Sequence, residues 1–121
     1  MAMVHAQIVS TLNQLQCRSN FNLHHVSEFM LPHSKEPLYL HHQGQLSTLV
    51  IRPAFEVFAS ELTGIDGVHG QYEYYHNAQM TRFPTRQHKG ISETHYGLAF
   101  TFDNEHALSE FLTRLIKIVQ G

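Results

Sequence analysis

The chain has 121 residues, of which 15% are charged, a formal net charge of −2 with neutral histidines, and a single cysteine, Cys17. This length fits one domain that can bury a core without metal or disulfide staples, and a lone cysteine excludes an internal disulfide, which favours a reducing compartment. The slightly negative charge excludes a strong electrostatic pull toward nucleic acid or anionic membranes at neutral pH.

The 15% share of charged residues is low beside the usual ~25%, and eleven histidines partly make up for it. Many of them would be protonated below about pH 6.5, so the sign of the protein's charge would reverse there. The first residues show neither the basic nor the apolar segment of a signal peptide, and no apolar run approaches 18 residues. We therefore predict a cytoplasmic protein without a membrane segment.

Apolar residues at helical spacing open the chain. Val4, Ile8, Leu12 and Leu15 predict an amphipathic helix of about three turns, which should end near residues 18–20 because Arg-Ser-Asn continues a helix poorly. Cys17, close to the predicted C-terminal end, is interpreted as a structural thiol, because the helix dipole there raises a thiol pKa.

A strand and a hairpin are predicted next. Leu23–Leu31 suits an irregular strand, and residues 33–36, between two prolines, form a turn. Leu38–His42 and Leu46–Arg52 predict a hairpin around Gly44. The continuous apolar run at Leu49 to Ile51 indicates an inner strand covered on both faces, which Pro53 should end.

The second half of the chain begins with a predicted helix at Phe55–Leu62, followed by Gly64 at its C′ position. Residues 65–70 form a glycine-rich turn, and residues 71–76, with three tyrosines, fit a half-exposed strand. A loop and then a short strand, Leu98–Phe102, complete the predicted sheet.

The last helix has the clearest pattern in the chain. Asp103 is the predicted N-cap, and Glu105 lies in the first turn. One apolar stripe follows, formed by Leu108, Phe111, Leu112, Leu115, Ile116 and Val119. Two or three helices packed on a mostly antiparallel sheet is the simplest assembly, so we predict a single α+β domain over residues 1–121.

Several short motifs follow one another between Leu38 and Leu115. They are Leu38-Tyr39-Leu40, Leu49-Val50-Ile51-Arg52-Pro53, Phe83-Pro84, His95-Tyr96-Gly97, Ala107-Leu108 and Phe111-Leu112. In these motifs the chain resembles the YgaC-like family of small bacterial proteins, a domain of unknown function. The resemblance implies a compact cytosolic α+β domain and transfers no catalytic residue.

The most informative polar segment lies between the tyrosines and the last strand. No acidic residue occurs between Glu73 and Glu93, and Pro84 and Gly90 indicate a loop, where binding groups often sit. Tyrosine and arginine are enriched in interface hot spots. We therefore predict a non-enzymatic binding or regulatory domain that contacts a protein partner or a second copy of itself. The predicted contact residues are Arg52, Tyr75, His76, Arg82, Arg86, Lys89, His95 and Tyr96.

Two other functions use the same residues differently. The cations could hold phosphates while Tyr72, Tyr74, Tyr75 and Phe83 stack bases, as in a nucleic-acid binder. Alternatively, histidines from 24–25 and 41–42 could meet His76 or His95 in a metal-dependent hydrolase. The recognised zinc spacings and nucleophile elbows are missing, so no cofactor, metal or catalytic residue is assigned.

Overall fold

The computed structural model describes residues 3–23, 25–43, 46–71, 73–87 and 93–121. Within these ranges the chain forms three α-helices, one 3-10 helix and eight strands. The helices are α1 (His5–Gln14), the 3-10 helix Pro53–Phe58, α2 (Ala59–Thr63) and α3 (Glu105–Gln120). The strands are β1 (Arg18–Asn22), β2 (Val26–Met30), β3 (Pro37–Gln43), β4 (Leu46–Ile51), β5 (Val68–Gly70), β6 (Tyr75–His76), β7 (Thr85–Gln87) and β8 (Glu93–Phe102).

The sheet is antiparallel throughout, with the order β1-β2-β3-β4-β8-β5. Three further short strands also pair with β8. β5 pairs with its last residues, β6 pairs at Tyr96 and Gly97, and β7 pairs with its first residues. β1 is the edge strand on the opposite side and pairs with β2.

One face of the sheet carries the helices. Alternate residues of the inner strands, such as Leu40, Leu49 and Phe100, point to this face and pack with α1 and α3. Phe111 of α3 contacts the rings of Phe100 and Phe102, with centroids 4.9 and 5.0 Å apart. Each fully buried large side chain contributes roughly 1.5–3 kcal/mol before chain entropy is subtracted.

The other face is covered by chain without helical structure. Residues 77–84, which we call the arm, lie over this face, and their Met80 and Phe83 are buried against Tyr39 and Val50. The ring of Phe83 meets the ring of Tyr39 edge-on, with centroids 4.8 Å apart. These buried contacts form a second, smaller core and fix the position of the arm on the sheet.

The α+β class and its main elements are confirmed. The first and last helices and the hairpin of β3 and β4 form, and Leu49, Val50 and Ile51 are fully buried on an inner strand. β4 ends at Ile51, ahead of Pro53. The predicted turn glycine, Gly44, lies outside the described residues.

Other boundaries were predicted wrongly. The first helix ends at Gln14, and residues 18–22, expected only to end it, form β1. The segment starting at Pro53 is a 3-10 helix before it becomes α2, and part of the predicted turn 65–70 is β5. These are short or polar elements whose structure depends on pairing with distant strands.

The last helix begins one residue later than predicted. Its N-cap is Asn104, whose side-chain Oδ1 accepts a hydrogen bond from the Ala107 N–H at 2.9 Å. Asp103, the predicted cap, instead lies 3.0 Å from the His69 ring. None of the helices within the described residues has the length and apolar character needed to cross a membrane.

Candidate interaction site

Arg86 of β7 lies against two tyrosine rings. Its guanidinium carbon is 4.9 Å from the ring centroid of Tyr74 and 5.6 Å from that of Tyr96. In the described part of the chain, no carboxylate forms an ion pair with this arginine. A cation over aromatic faces at an exposed position is worth about 0.5–1 kcal/mol. The charge of Arg86 therefore stays available at the surface.

Strand register explains why these groups share a face. His76 pairs with Tyr96, and Arg86 pairs with Thr94. Because paired residues and residues two apart on a strand share a face, the side chains of all four project from the same face of the sheet. The rings of His76 and Tyr96 are stacked with centroids 6.0 Å apart, and Tyr74 meets Tyr96 edge-on at 5.2 Å. We call Tyr74, His76, Arg86 and Tyr96 the tyrosine–arginine surface.

The 3-10 helix borders this surface. The Tyr74 hydroxyl donates a 2.6 Å hydrogen bond to Glu56 Oε1. That hydrogen bond, followed by burial and the Glu56 charge, raises the pKa of Tyr74. The contact holds the Tyr74 ring in place beside Arg86 and puts a carboxylate at the rim of the surface.

Arg82 has a different environment from Arg86. Its Nε donates to Glu28 Oε2 at 3.1 Å, and its backbone N–H donates to the Tyr39 hydroxyl at 3.0 Å. The same Glu28 carboxylate accepts hydrogen bonds from the Tyr39 hydroxyl at 2.6 Å and from Asn20 Nδ2 at 2.8 Å. Arg82 is thus tied to a carboxylate of its own fold and anchors the arm.

Glu28 and Tyr39 form a buried acid–phenol pair. Burial raises the pKa of Glu28, but hydrogen bonds from Tyr39, Asn20 and Arg82, together with the charge of Arg82, leave the net pKa below its usual value. Burial, followed by the bond to Glu28, raises the pKa of Tyr39 to about 12. At neutral pH the pair is therefore an ionised carboxylate and a neutral phenol.

Arg52 and His95 also hold the arm. Arg52 Nε pairs with Glu36 Oε2 at 3.0 Å, and its guanidinium lies 5.6 Å from the Phe83 ring centroid. His95 Nδ1 lies 2.7 Å from the Phe83 carbonyl oxygen. Because a carbonyl oxygen can only accept a hydrogen bond, His95 Nδ1 carries the proton. Both contacts stabilise the Phe83 turn.

The structure brings together three of the eight predicted contact residues, namely His76, Arg86 and Tyr96. Two other predicted contact residues, Arg52 and Arg82, instead bind carboxylates of the fold, Glu36 and Glu28. Tyr75 faces the opposite side of the sheet from Tyr96, and its ring lies 5.1 Å from that of His41. Lys89 lies outside the described residues.

Two members of the site were missing from the predicted contact set. Tyr74 was grouped with its neighbouring tyrosines, although residues two apart on a strand share a face, and that rule would have joined it to His76. Glu56 carries no sequence signal for this role, because its contact with Tyr74 spans 18 residues and depends on the tertiary fold.

Histidines cluster at the end of the sheet near α1. The rings of His5 and His42 have centroids 4.4 Å apart, and burial followed by the charge of His42 lowers the pKa of His5. Burial, then His25 and His42, lowers the pKa of His41. Across the described residues, no group of three or more histidine, cysteine, aspartate or glutamate side chains could hold a metal ion.

Cys17 is buried between α1 and β1. Burial raises the pKa of its thiol to about 11, so the thiol is protonated and a poor nucleophile at neutral pH.

Comparison with known proteins adds no family to this description. No family model matches the chain, and no matching curated protein or solved structure is found. The resemblance to the YgaC-like family therefore stays a prediction.

Proposed function

We propose that the protein is a non-enzymatic binding domain that contacts another protein through its tyrosine–arginine surface. The observation that carries this proposal is the position of Arg86 over Tyr74 and Tyr96 without a carboxylate partner in the described chain. Arginine and tyrosine are among the side chains enriched in interface hot spots, and both offer a large contact area and directed hydrogen bonds.

Preorganisation supports the same function. The arm that leads from β6 to β7 is held by Arg82 on Glu28, by buried Met80 and Phe83, and by His95 on the Phe83 carbonyl. A surface fixed before binding loses little conformational entropy when a partner docks. The polar network beneath the arm therefore helps to hold Arg86 in position at the surface.

The partner should carry an acidic or carbonyl-rich group next to an aromatic or aliphatic side chain. Arg86 supplies guanidinium N–H donors, and the tyrosine rings supply apolar faces with hydroxyl groups. A nucleic acid is less favoured than a protein, because two of the three described candidate cations, Arg52 and Arg82, are neutralised by Glu36 and Glu28.

Affinity capture with matched arginine variants tests the proposal. Wild-type protein, Arg86→Ala and Arg114→Ala would be immobilised, exposed to nuclease-treated extract of the source organism and analysed by quantitative mass spectrometry. Arg114 is a suitable control because it is a partly exposed arginine on α3, paired with Glu61. We expect a protein retained by the wild type and Arg114→Ala to be lost with Arg86→Ala.

Equal capture by all three proteins would contradict the proposal. A loss with Arg86→Ala has to be separated from unfolding, so thermal unfolding of each variant is measured alongside. The exposed cation–π contacts are worth only about 0.5–1 kcal/mol, and a small stability change is expected. Salt-sensitive binding of labelled oligonucleotides by wild type but not Arg86→Ala would instead favour the nucleic-acid function.

A further inference from the structure

A groove runs along the sheet edge opposite β5, between α1 and β1. Its wall is formed by α1 residues including Ser10 and Asn13, and its floor includes Ser19 and Asn22 of β1. The volume is about 600 Å³, and the outer strand that borders it is exposed at four of its five residues. The groove and the strand edge together form one continuous surface.

The outer edge of β1 offers backbone hydrogen-bonding groups. The Leu23 N–H donates to the Val26 carbonyl at 2.8 Å, so these residues form a hydrogen-bonded pair of the β1–β2 hairpin. Hydrogen-bonded and non-hydrogen-bonded pairs alternate in an antiparallel ladder, so the next pair, Asn22 with Ser27, is not hydrogen-bonded. The N–H and C=O of Asn22 therefore point away from β2. In the described chain no strand pairs with this outer edge.

The surface also lacks the charges that usually protect an edge strand. Arg18 is the only Asp, Glu, Lys or Arg among residues 1–27, although 15% of the whole chain is charged. Monomeric proteins commonly place lysines and other charges on exposed edges to prevent pairing. Apart from Arg18 and His5, the polar side chains of the groove and edge are uncharged serines, asparagines and a glutamine.

We propose that β1 pairs antiparallel with β1 of a second copy of this chain, which extends the sheet across a two-fold axis. Hydroxyl and amide groups both donate and accept hydrogen bonds, so an uncharged surface rich in them is complementary to itself. The two Arg18 residues lie at opposite ends of an antiparallel pairing and do not repel each other. Partner side chains on the helix side enter the groove beside α1.

Sedimentation equilibrium of the full chain over a wide concentration range tests the dimer. The wild type should approach twice 13.9 kDa at high concentration. Asn22→Pro removes an outward N–H and the side-chain bond from Ser27 Oγ but no backbone bond to β2, and should weaken self-association about tenfold or more. Asn22→Ala loses the same side-chain bond but keeps that N–H, and should stay dimeric.

A second variant keeps the test decisive if Asn22→Pro fails to fold. Ser10→Lys puts a charge on the groove wall of each copy and should also weaken the dimer about tenfold. Ser60→Lys is the control, since it places the same charge on an exposed serine of α2, near the opposite edge of the sheet. A wild type that stays monomeric at every concentration, or a dimer that Ser10→Lys leaves intact, would overturn the proposal.

Discussion

Glu28 is the side chain on which the polar interactions of the arm converge. It is 1% exposed and accepts hydrogen bonds from Asn20, Tyr39 and Arg82, which come from three separate parts of the sequence. A buried carboxylate is tolerated only when such partners compensate for its lost hydration. The three donors also join β1, β3 and the arm to the middle of β2.

Glu28→Gln tests this residue. An amide presents an NH₂ group to donors and removes the charge facing Arg82, so the free energy of unfolding should fall by about 2–4 kcal/mol. Because the Arg82 side chain is 56% exposed and its ion pair is screened by solvent, we expect the loss of unfolding free energy to lie toward the lower end of that range. Arg114→Ala, which breaks the partly exposed pair with Glu61, should cost less than about 1 kcal/mol in the same urea titration. Similar losses for both variants would contradict the central role of Glu28.

The clustered histidines make stability depend on pH. The pKa values of His5 and His41 are lowered in the folded state, so the unfolded chain binds protons first as pH falls below about 6.5. Stability should therefore be full above that pH and decline as pH drops toward the folded-state pKa values. Urea midpoints between neutral and mildly acidic pH measure this decline.

His5→Gln should flatten that pH profile, because it removes one titrating group and one neighbour of His42. His33→Gln is the control, since His33 is an exposed residue in the turn between β2 and β3. If His5→Gln and the wild type lost stability in parallel, the cluster would not be the origin of the decline.

At the scale of elements, α3 is defined by its cap and its apolar stripe. The side chain of Asn104 accepts the Ala107 N–H, so Asn104→Ala should lower stability by about 1 kcal/mol. Asp103→Ala should have a smaller effect, since Asp103 lies before the cap and pairs with an exposed histidine. Thermal unfolding of the two variants decides between them, and a larger loss for Asp103→Ala would contradict the observed cap.

β8 needs a glycine where the arm crosses it. A Cβ added at Gly97 would lie 2.6 Å from the Ile51 carbonyl oxygen and 3.0 Å from Phe83 Cδ2. Gly97→Ala should therefore destabilise the fold by roughly 1–3 kcal/mol and loosen the arm. Gly64→Ala is the comparison, because its Cβ would come no closer than 3.2 Å to a neighbour at the end of α2. Faster amide exchange in the arm of Gly97→Ala alone is the expected signature.

Sequence patterns predicted the elements that bury many apolar residues. The stripe of α3 and the run Leu49 to Ile51 are local signals of burial, and both elements form as expected. β1 and β7 were missed because their residues are mostly exposed and polar, and their strand structure comes from pairing with β2 and β8. A period in hydrophobicity cannot reveal a strand that has little apolar burial.

The site was predicted in part for the same physical reason. An acid-free segment indicated Arg86 and Arg82 alike, but the carboxylate that neutralises Arg82 lies 54 residues away on β2. Pairings over such distances along the chain depend on strand order, which the sequence pattern does not encode. The register of β6, β7 and β8 then separates Tyr96 from Tyr75 by face.

For the whole molecule, the two proposed contacts lie toward opposite ends of the strand order of one sheet. β1 ends the strand order on one side, and β8, with which β5, β6 and β7 pair, lies toward the other end. Because the proposed dimer uses β1 and the proposed partner uses the tyrosine–arginine surface, a dimer would present two such surfaces pointing away from its centre. Arg86→Ala should therefore leave self-association unchanged in sedimentation equilibrium.

Site-specific photo-crosslinking in cells tests the central claim most directly. A photoreactive phenylalanine would replace Glu73, an exposed residue next to Tyr74, or Glu110, an exposed residue of α3. We predict a discrete crosslinked partner from position 73 that is absent from position 110 and disappears when Arg86→Ala is added. The same products from both positions, or a product at position 73 that persists with Arg86→Ala, would contradict the account.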